Sequence, residues 1–297
     1  MDANISKYLV GFNDFLLLEN GLSNLSIKAY MSDIKLFYAF LKKQSLCDSP
    51  FDSASIETYL KENEEHQAST NARFMCSLRC YCSFLKKEKI IDSDPCAHID
   101  NPKIVRIIPK AMSEECVDAF LLAPDVTTHT GLRDKAMLET IYATGLRISE
   151  LISLKFDNVN FTDGFVVVRG KGDKERLVPL CEDAAYWIEN YVSSLRTVKD
   201  PKHKCPFIFL SGKGIQGMTR IAFWYRIKVY SKQLGIQFDV SPHTFRHAFA
   251  THLLNHDADL RSVQMLLGHS SLTTTQIYTH VATRRMHQVY DKAHPRS

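Results

Sequence analysis

Apolar positions in the first hundred residues recur at helical spacing. Ile5, Tyr8, Leu9, Phe12, Phe15 and Leu16 follow steps of three and four, which predicts an amphipathic helix closed near Gly21. Ser23 or Ser26 is placed to cap a second helix carrying Ile27, Tyr30, Met31, Ile34, Phe37 and Leu41. A third is expected from about Ser53 to Glu65. A fourth opens at Ser69 or Thr70 and presents Ala72, Met75, Leu78, Cys82 and Leu85. Four or five helices with short connections predict a bundle over residues 1–100. Asp94-Pro95, Asn101-Pro102 and Pro109 interrupt any helix, so residues 101–110 are expected to form a linker.

The pattern changes over residues 111–297. Helical stripes cover about 113–123 and 131–143, Gly145 interrupts, and a short helix follows through Leu151. Phe165–Arg169 and Arg176–Leu180 are β-runs. Between them lies Gly170-Lys171-Gly172-Asp173-Lys174, which predicts a hairpin with a lysine at its tip. Phe207–Leu210 is expected to add a third strand. Helices are expected at about 182–195, 218–234, 243–255, 259–267 and 272–280. The fold class is therefore mainly α, with a small antiparallel sheet in the second domain.

With 45% apolar and 24% charged residues, the chain has the material for a folded core. No run approaches the ~18 apolar residues of a membrane span. The start, Met1-Asp2-Ala3-Asn4, lacks a signal-peptide pattern, so the expected location is the cytoplasm. The eight cysteines form no C-x-x-C pair and are expected as reduced thiols, with Cys76 and Cys80 as small buried residues and no zinc site. Net charge is +4. Residues 1–110 balance at 14 basic and 14 acidic side chains, whereas 111–297 carry 23 and 19. Nine Lys or Arg and one acid, Asp200, lie between Arg196 and Lys232, either a solvated face or a surface that tracks phosphates.

The sequence has no G-x-x-x-x-G-K-[ST], no dinucleotide-binding glycine pattern and no H-E-x-x-H. His252 and His256 stand one turn apart without an acid between them and are expected on a helix surface rather than on a metal. No paired-carboxylate cluster suited to Mg²⁺ is evident, so neither metal nor cofactor is expected. Phosphate chemistry would then need arginines to carry transition-state charge, a side-chain nucleophile and a separate acid.

The second half offers such a set. Arg147 lies in Ala143-Thr144-Gly145-Leu146-Arg147-Ile148-Ser149-Glu150-Leu151. His243-Thr244-Phe245-Arg246-His247 follows, then Leu267-Gly268-His269-Ser270, then Thr275-Gln276-Ile277-Tyr278-Thr279-His280. Each alone has a plain reading as a surface, capping or core residue.

In order and spacing, these blocks resemble the tyrosine recombinases of the phage integrase family, and within it the bacterial Xer type. Phe245, where the family pattern has leucine, is the one departure noted. The resemblance covers nearly the whole chain. It implies an N-terminal SAM-like core-binding domain and a mixed α/β catalytic domain that together clamp DNA. It implies catalytic roles for Arg147, Lys171, His243, Arg246, His269 and the nucleophile Tyr278, which would form a 3′-phosphotyrosyl intermediate without metal or ATP. DNA-contact candidates are Lys103, Arg106, Arg220, Arg226 and Lys228. The implied partners are double-stranded DNA at a dif-like site, a paralogous XerC-type recombinase in a two-plus-two heterotetramer, and an FtsK-type septal DNA translocase. The implied role is resolution of chromosome dimers during cell division. The tail beyond Tyr278 has no evident partner in its own domain and is expected on a neighbouring protomer. A mobile-element integrase, a type IB topoisomerase-like swivel and a catalytically silent architectural protein remain open at this point.

Overall fold

A computed structural model of the chain describes residues 3–44, 52–65, 68–100, 112–170, 175–202, 204–212, 215–268, 290 and 292–296. They belong to two compact units, Met1–Ile108 and Pro109–Ser297.

Among the described residues of the first unit, four helices surround an aromatic core: α1 (Ala3–Leu18), α2 (Asn24–Lys43), α3 (Ser53–Glu62) and α4 (Ala68–Lys87). Ser23, not Ser26, caps α2, its hydroxyl accepting from the Ser26 N–H at 3.3 Å, and the Asp52 carboxylate caps α3. Leu9, Phe12 and Leu16 meet Phe37, Phe74, Leu78 and Phe84 in the core. Tyr59 bridges Phe37 and Phe74 with ring centroids 5.2 and 4.6 Å away. One carboxylate enters this interior. Asp33 is satisfied by Arg73 at 2.9 Å and by the Ser77 hydroxyl at 2.8 Å. The cysteine expectation fails in part, because Cys76 is exposed and Cys80 half-buried. Cys82 is the buried member and meets Cys96 at 3.8 Å between sulfurs.

The second unit is organised around α6 (His129–Thr144), which is buried on every side from Gly131 to Thr144. Around it lie α5 (Glu114–Leu122), α7 (Ile148–Ile152), α8 (Glu182–Tyr191), the single turn α9 (Thr197–Lys199), α10 (Arg220–Gln233), α11 (Pro242–Asn255) and α12 (Leu260–Leu267). A wide turn, Val192–Arg196, continues α8 into α9. The sheet is antiparallel, ordered β1 (Val159–Asn160), β2 (Phe165–Arg169) and β3 (Glu175–Pro179). Val166 pairs with Val178 and Val168 with Arg176. These four side chains alternate onto the buried face.

The third strand is thus Val159–Asn160 and not Phe207–Leu210. The latter segment makes only isolated bridges, Lys155 with Phe207 and Leu210 with Gly217. The buried guanidinium of Arg196 donates to the Phe207 and Ile208 carbonyls of this segment at 3.1 and 3.2 Å and to that of Cys205 just before it at 2.7 Å.

The tail also departs from expectation. Tyr290, Ala293 and His294 are buried within this same unit. Tyr290 donates to the Ala143 carbonyl at 2.9 Å and stacks on the His294 ring at 4.7 Å. Arg296 reaches Asp183 at 2.7 Å and Glu139 at 3.3 Å.

Candidate active site

Two helix ends and one strand converge at the site. Helix α6 stops at Gly145, whose φ of +58° is left-handed and whose missing Cβ leaves room for the Phe249 ring of α11, 2.3 Å from where a Cβ would lie. That stop turns the chain so that Arg147 becomes the residue just before α7. Helix α12 ends likewise at Gly268 with φ +68°. There a Cβ would stand 3.0–3.1 Å from the Arg176 side chain.

Arg246 lies one turn into α11 and ties both stops together. Its Nη1 donates to the Gly145 carbonyl at 2.5 Å and its Nη2 to the Leu267 carbonyl at 2.6 Å. Both acceptors sit at helix C-termini, where peptide dipoles present negative charge to a cation. Phe245 beside it is fully buried, edge-on to Phe120 at 5.3 Å, so the larger ring is absorbed by the core.

Arg147 is held by Glu150. Its backbone N–H donates to Glu150 Oε2 at 2.8 Å and its Nη1 to Oε1 at 3.0 Å. Arg176 grips the same carboxylate fork to fork, Nη1 to Oε1 and Nη2 to Oε2, both at 2.9 Å. Its Nε donates to the Leu266 carbonyl at 3.0 Å. Burial pushes the Glu150 carboxyl up, but the hydrogen bond and charge of Arg176, joined by Arg147, outweigh it and hold the group below its usual range. Arg246 is lowered to about 10, first by burial and then by the charges of Arg147 and Arg176, with Glu150 opposing. Three guanidiniums around one carboxylate leave an excess of positive charge, and the Arg147 side chain remains 39% exposed. Such a site is built to receive an anion.

The structure therefore brings Arg147 and Arg246 together, with His243 exposed in the first turn of α11. Lys171, His269 and Tyr278, the expected helix 272–280, and the contact candidates Lys103 and Arg106 lie outside the described residues. Arg220 is exposed at the start of α10, near exposed Ile221, Trp224 and Tyr225. Arg226 is instead turned inward to Asp134 at 2.5 Å and Tyr230 at 2.8 Å. Lys228 pairs with Asp239 and the Val240 carbonyl. With Arg196 and Lys199 also bound to carbonyls, much of the basic stretch between 196 and 232 braces the fold.

The surface reading of the two histidines holds only for His256, which meets Glu114 at 2.8 Å. His252 is buried between the Tyr142 hydroxyl and the Met112 carbonyl. Sequence reasoning missed Glu150 and Arg176. The strand alternation was a partial signal, since it puts Arg176 on the same inward face as Val178, where a charged side chain needs partners, but it does not say that the partner is Glu150.

Comparison with known proteins agrees. Residues 110–285 match the phage integrase family, and residues 9–89 match the phage integrase N-terminal SAM-like domain. The chain is 46% identical over 287 residues to the tyrosine recombinase XerD of Pseudomonas putida, covering 96% of each chain. It is 45% identical to that of Shewanella oneidensis, covering 96% of this chain and 95% of the relative. Among solved structures it resembles the XerH site-specific recombinase bound to a palindromic difH substrate (TM-score 0.67, 22% identity, 89% of this chain and 78% of that one). It also resembles a lambda integrase dimer bound to a core site (TM-score 0.66, 19% identity, 90% and 95%). These two likenesses concern the fold. Family match and sequence identity along the whole length place the chain in the phage integrase family, as a site-specific tyrosine recombinase.

Proposed function

We propose that Tyr278 attacks a phosphodiester whose non-bridging oxygens are held by Arg147 and Arg246. The bond formed joins the tyrosyl oxygen to phosphorus, and the bond broken releases the 5′ oxygen. Extra charge on the non-bridging oxygens falls on two guanidiniums that stay protonated at any working pH. Lys171 protonates the departing 5′ oxygen, since an alkoxide leaves poorly without a proton. His243 assists proton transfer, and His269 donates to the phosphate or orients Tyr278. The 3′-phosphotyrosyl link conserves the bond energy, so rejoining needs no ATP. The observation that carries this reading is the cluster of three arginines around Glu150, with Arg246 held by main-chain carbonyls and Arg147 open to solvent.

The substrate in this reading is double-stranded DNA at a dif-like site. The exposed face of α10, with Arg220 beside Trp224 and Tyr225, is one contact element, and Lys103 and Arg106 supply others. The enzyme works in the cytoplasm in a two-plus-two tetramer with a XerC-type paralogue, activated by an FtsK-type translocase, and resolves chromosome dimers. The naming of the relatives supports this role over that of a mobile-element integrase. Among the described residues no helix is long and apolar enough to cross a membrane.

A suicide duplex carrying a dif-like site tests the chemistry. Wild-type protein is expected to become covalently attached to the 3′ end in excess EDTA. Tyr278→Phe is expected to bind the same duplex and form no adduct. An adduct with Tyr278→Phe, or abolition by EDTA with restoration by Mg²⁺, contradicts the mechanism.

A further inference from the structure

Arg176 occupies a core-facing position of β3, opposite Val168, where the strand pattern calls for an apolar side chain. Its side chain is 6% exposed, against 39% for Arg147. It is fixed in direction by the Leu266 carbonyl and by packing on Gly268, so it faces the protein interior.

What Arg176 does is set by the geometry of Glu150. A carboxylate presents one face to a fork-to-fork guanidinium, and Arg176 fills it with two bonds of 2.9 Å. Arg147 is left with one side-chain bond, Nη1 to Oε1 at 3.0 Å. Glu150 is buried, and a buried carboxylate without a full partner is costly. Were the fork empty, Arg147 is the guanidinium already attached to this carboxylate. It would rotate to fill the fork and so withdraw its donors from solvent.

We propose that Arg176 is a positioning residue for the recombination reaction: by holding both oxygens of Glu150, it keeps the Arg147 guanidinium directed outward to the scissile phosphate. The inference rests on the phosphate-binding reading of Arg147 given above. It makes Glu150 and Arg176 an opposed pair. The carboxylate anchors Arg147 and, unopposed, captures it.

The test is single-turnover cleavage of the suicide duplex at saturating DNA, beside half-site binding and thermal unfolding. Arg176→Gln is expected to slow cleavage by about 10²-fold, the scale of a misplaced reacting group, with half-site affinity essentially unchanged. Glu150→Gln in the Arg176→Gln background is expected to recover at least about tenfold of that loss, because a neutral amide no longer draws Arg147 inward. A double variant as slow as, or slower than, Arg176→Gln overturns the proposal, since a purely structural brace gives losses that accumulate. If Arg176→Gln does not fold, Arg176→Lys serves. Its ammonium takes one oxygen only, and about tenfold slower cleavage at unchanged half-site affinity is expected. Wild-type cleavage by that variant overturns the proposal. Arg147→Ala is measured in parallel. Full cleavage by it removes the reading on which the proposal rests, whereas its inactivity combined with no recovery in the double variant defeats the proposal alone.

Discussion

Among the described residues of the second unit, two carboxylates each gather a cluster of arginines, and one of these clusters is open. At Asp134, Oδ1 accepts from Arg133 Nε and Nη2 at 3.0 and 2.7 Å. Oδ2 accepts from Arg226 at 2.5 Å and from the Tyr230 hydroxyl at 2.8 Å. Arg133 gives its remaining arm to the Leu210 carbonyl. This cluster is closed, with Arg133 and Asp134 sealed in the interior. At Glu150 a third arginine is added, and Arg147 stays partly in solvent. The same residue types thus make a closed brace in one place and an open, positively charged cluster in the other. What separates them is the number of cations per carboxylate and whether one of them faces outward.

The largest effect expected from this contrast is catalytic. Arg246→Ala or Arg147→Ala should lower the rate of covalent complex formation by about 10²–10³-fold or more, measured on the suicide duplex with folded protein. Arg226→Met should leave that rate within severalfold of wild type, because its charge serves Asp134. A catalytic loss for Arg226→Met equal to that of Arg147→Ala would dissolve the distinction between the clusters.

Asp134→Ala should instead be a stability lesion. It strands Arg133 in the interior and removes the acceptor of Arg226, an effect of about 3–5 kcal/mol in denaturant unfolding. Protein that remains folded at low temperature should still cleave.

The tail gives a smaller and pH-dependent effect. His294 is lowered to about 4, chiefly by burial and further by the charge of Arg296, against the opposing bond to the Tyr142 carbonyl. Its Nε2 faces the Tyr142 carbonyl, and its Nδ1 accepts the Arg296 N–H, which is the pattern of a neutral ring. The detached tail binds a proton near its ordinary pKa of about 6.5, and the seated one only near 4. The seat is therefore fully stable above about 6.5 and weakens as pH falls toward 4, by up to about 1.4 kcal/mol per unit. Amide protection at residues 292–296, taken relative to the intrinsic exchange rate at each pH, should fall between pH 7 and 5, and His294→Phe should flatten that dependence.

The smallest effect expected is at a cap. Gly268→Ala must hold φ +68° and press on Arg176, at about 1–2 kcal/mol. Measured by thermal unfolding, it should exceed the effect of Gly21→Ala, which is equally left-handed but opens onto empty space.

The helices were legible because their cores obey simple periodicity. The stripe of Ile27, Ile34, Phe37 and Leu41 is buried as the spacing requires. Phe207–Leu210 misled because an apolar run shows that a segment is buried, not what satisfies its backbone. Here two arginines, Arg196 and Arg133, and the Met218 N–H take its carbonyls. The tail misled for the opposite reason. Tyr290 and His294 dock through a stacked pair and main-chain carbonyls, and neither contact leaves a periodic trace. In the site, Arg147 and Arg246 were found from their ordered blocks. Glu150 and Arg176 were not, because pairing across 26 positions is a property of the folded chain. The basic stretch from 196 to 232 shows the limit of counting charge, since a lysine bonded to a carbonyl counts the same as one facing solvent.

The anchoring of Arg246 carries a consequence for how this chain tolerates mutation. Its two acceptors are the carbonyls of residues 145 and 267, and every amino acid supplies a carbonyl. No single codon change deletes either acceptor; a change at those positions acts only by bending the backbone. Arg147 depends on the side chain of Glu150, which one nucleotide substitution can replace. The two arginines of the proposed phosphate grip therefore differ in robustness to sequence drift. Arg246 is held by a scaffold that mutation can displace but not erase, and Arg147 by one that mutation can erase outright.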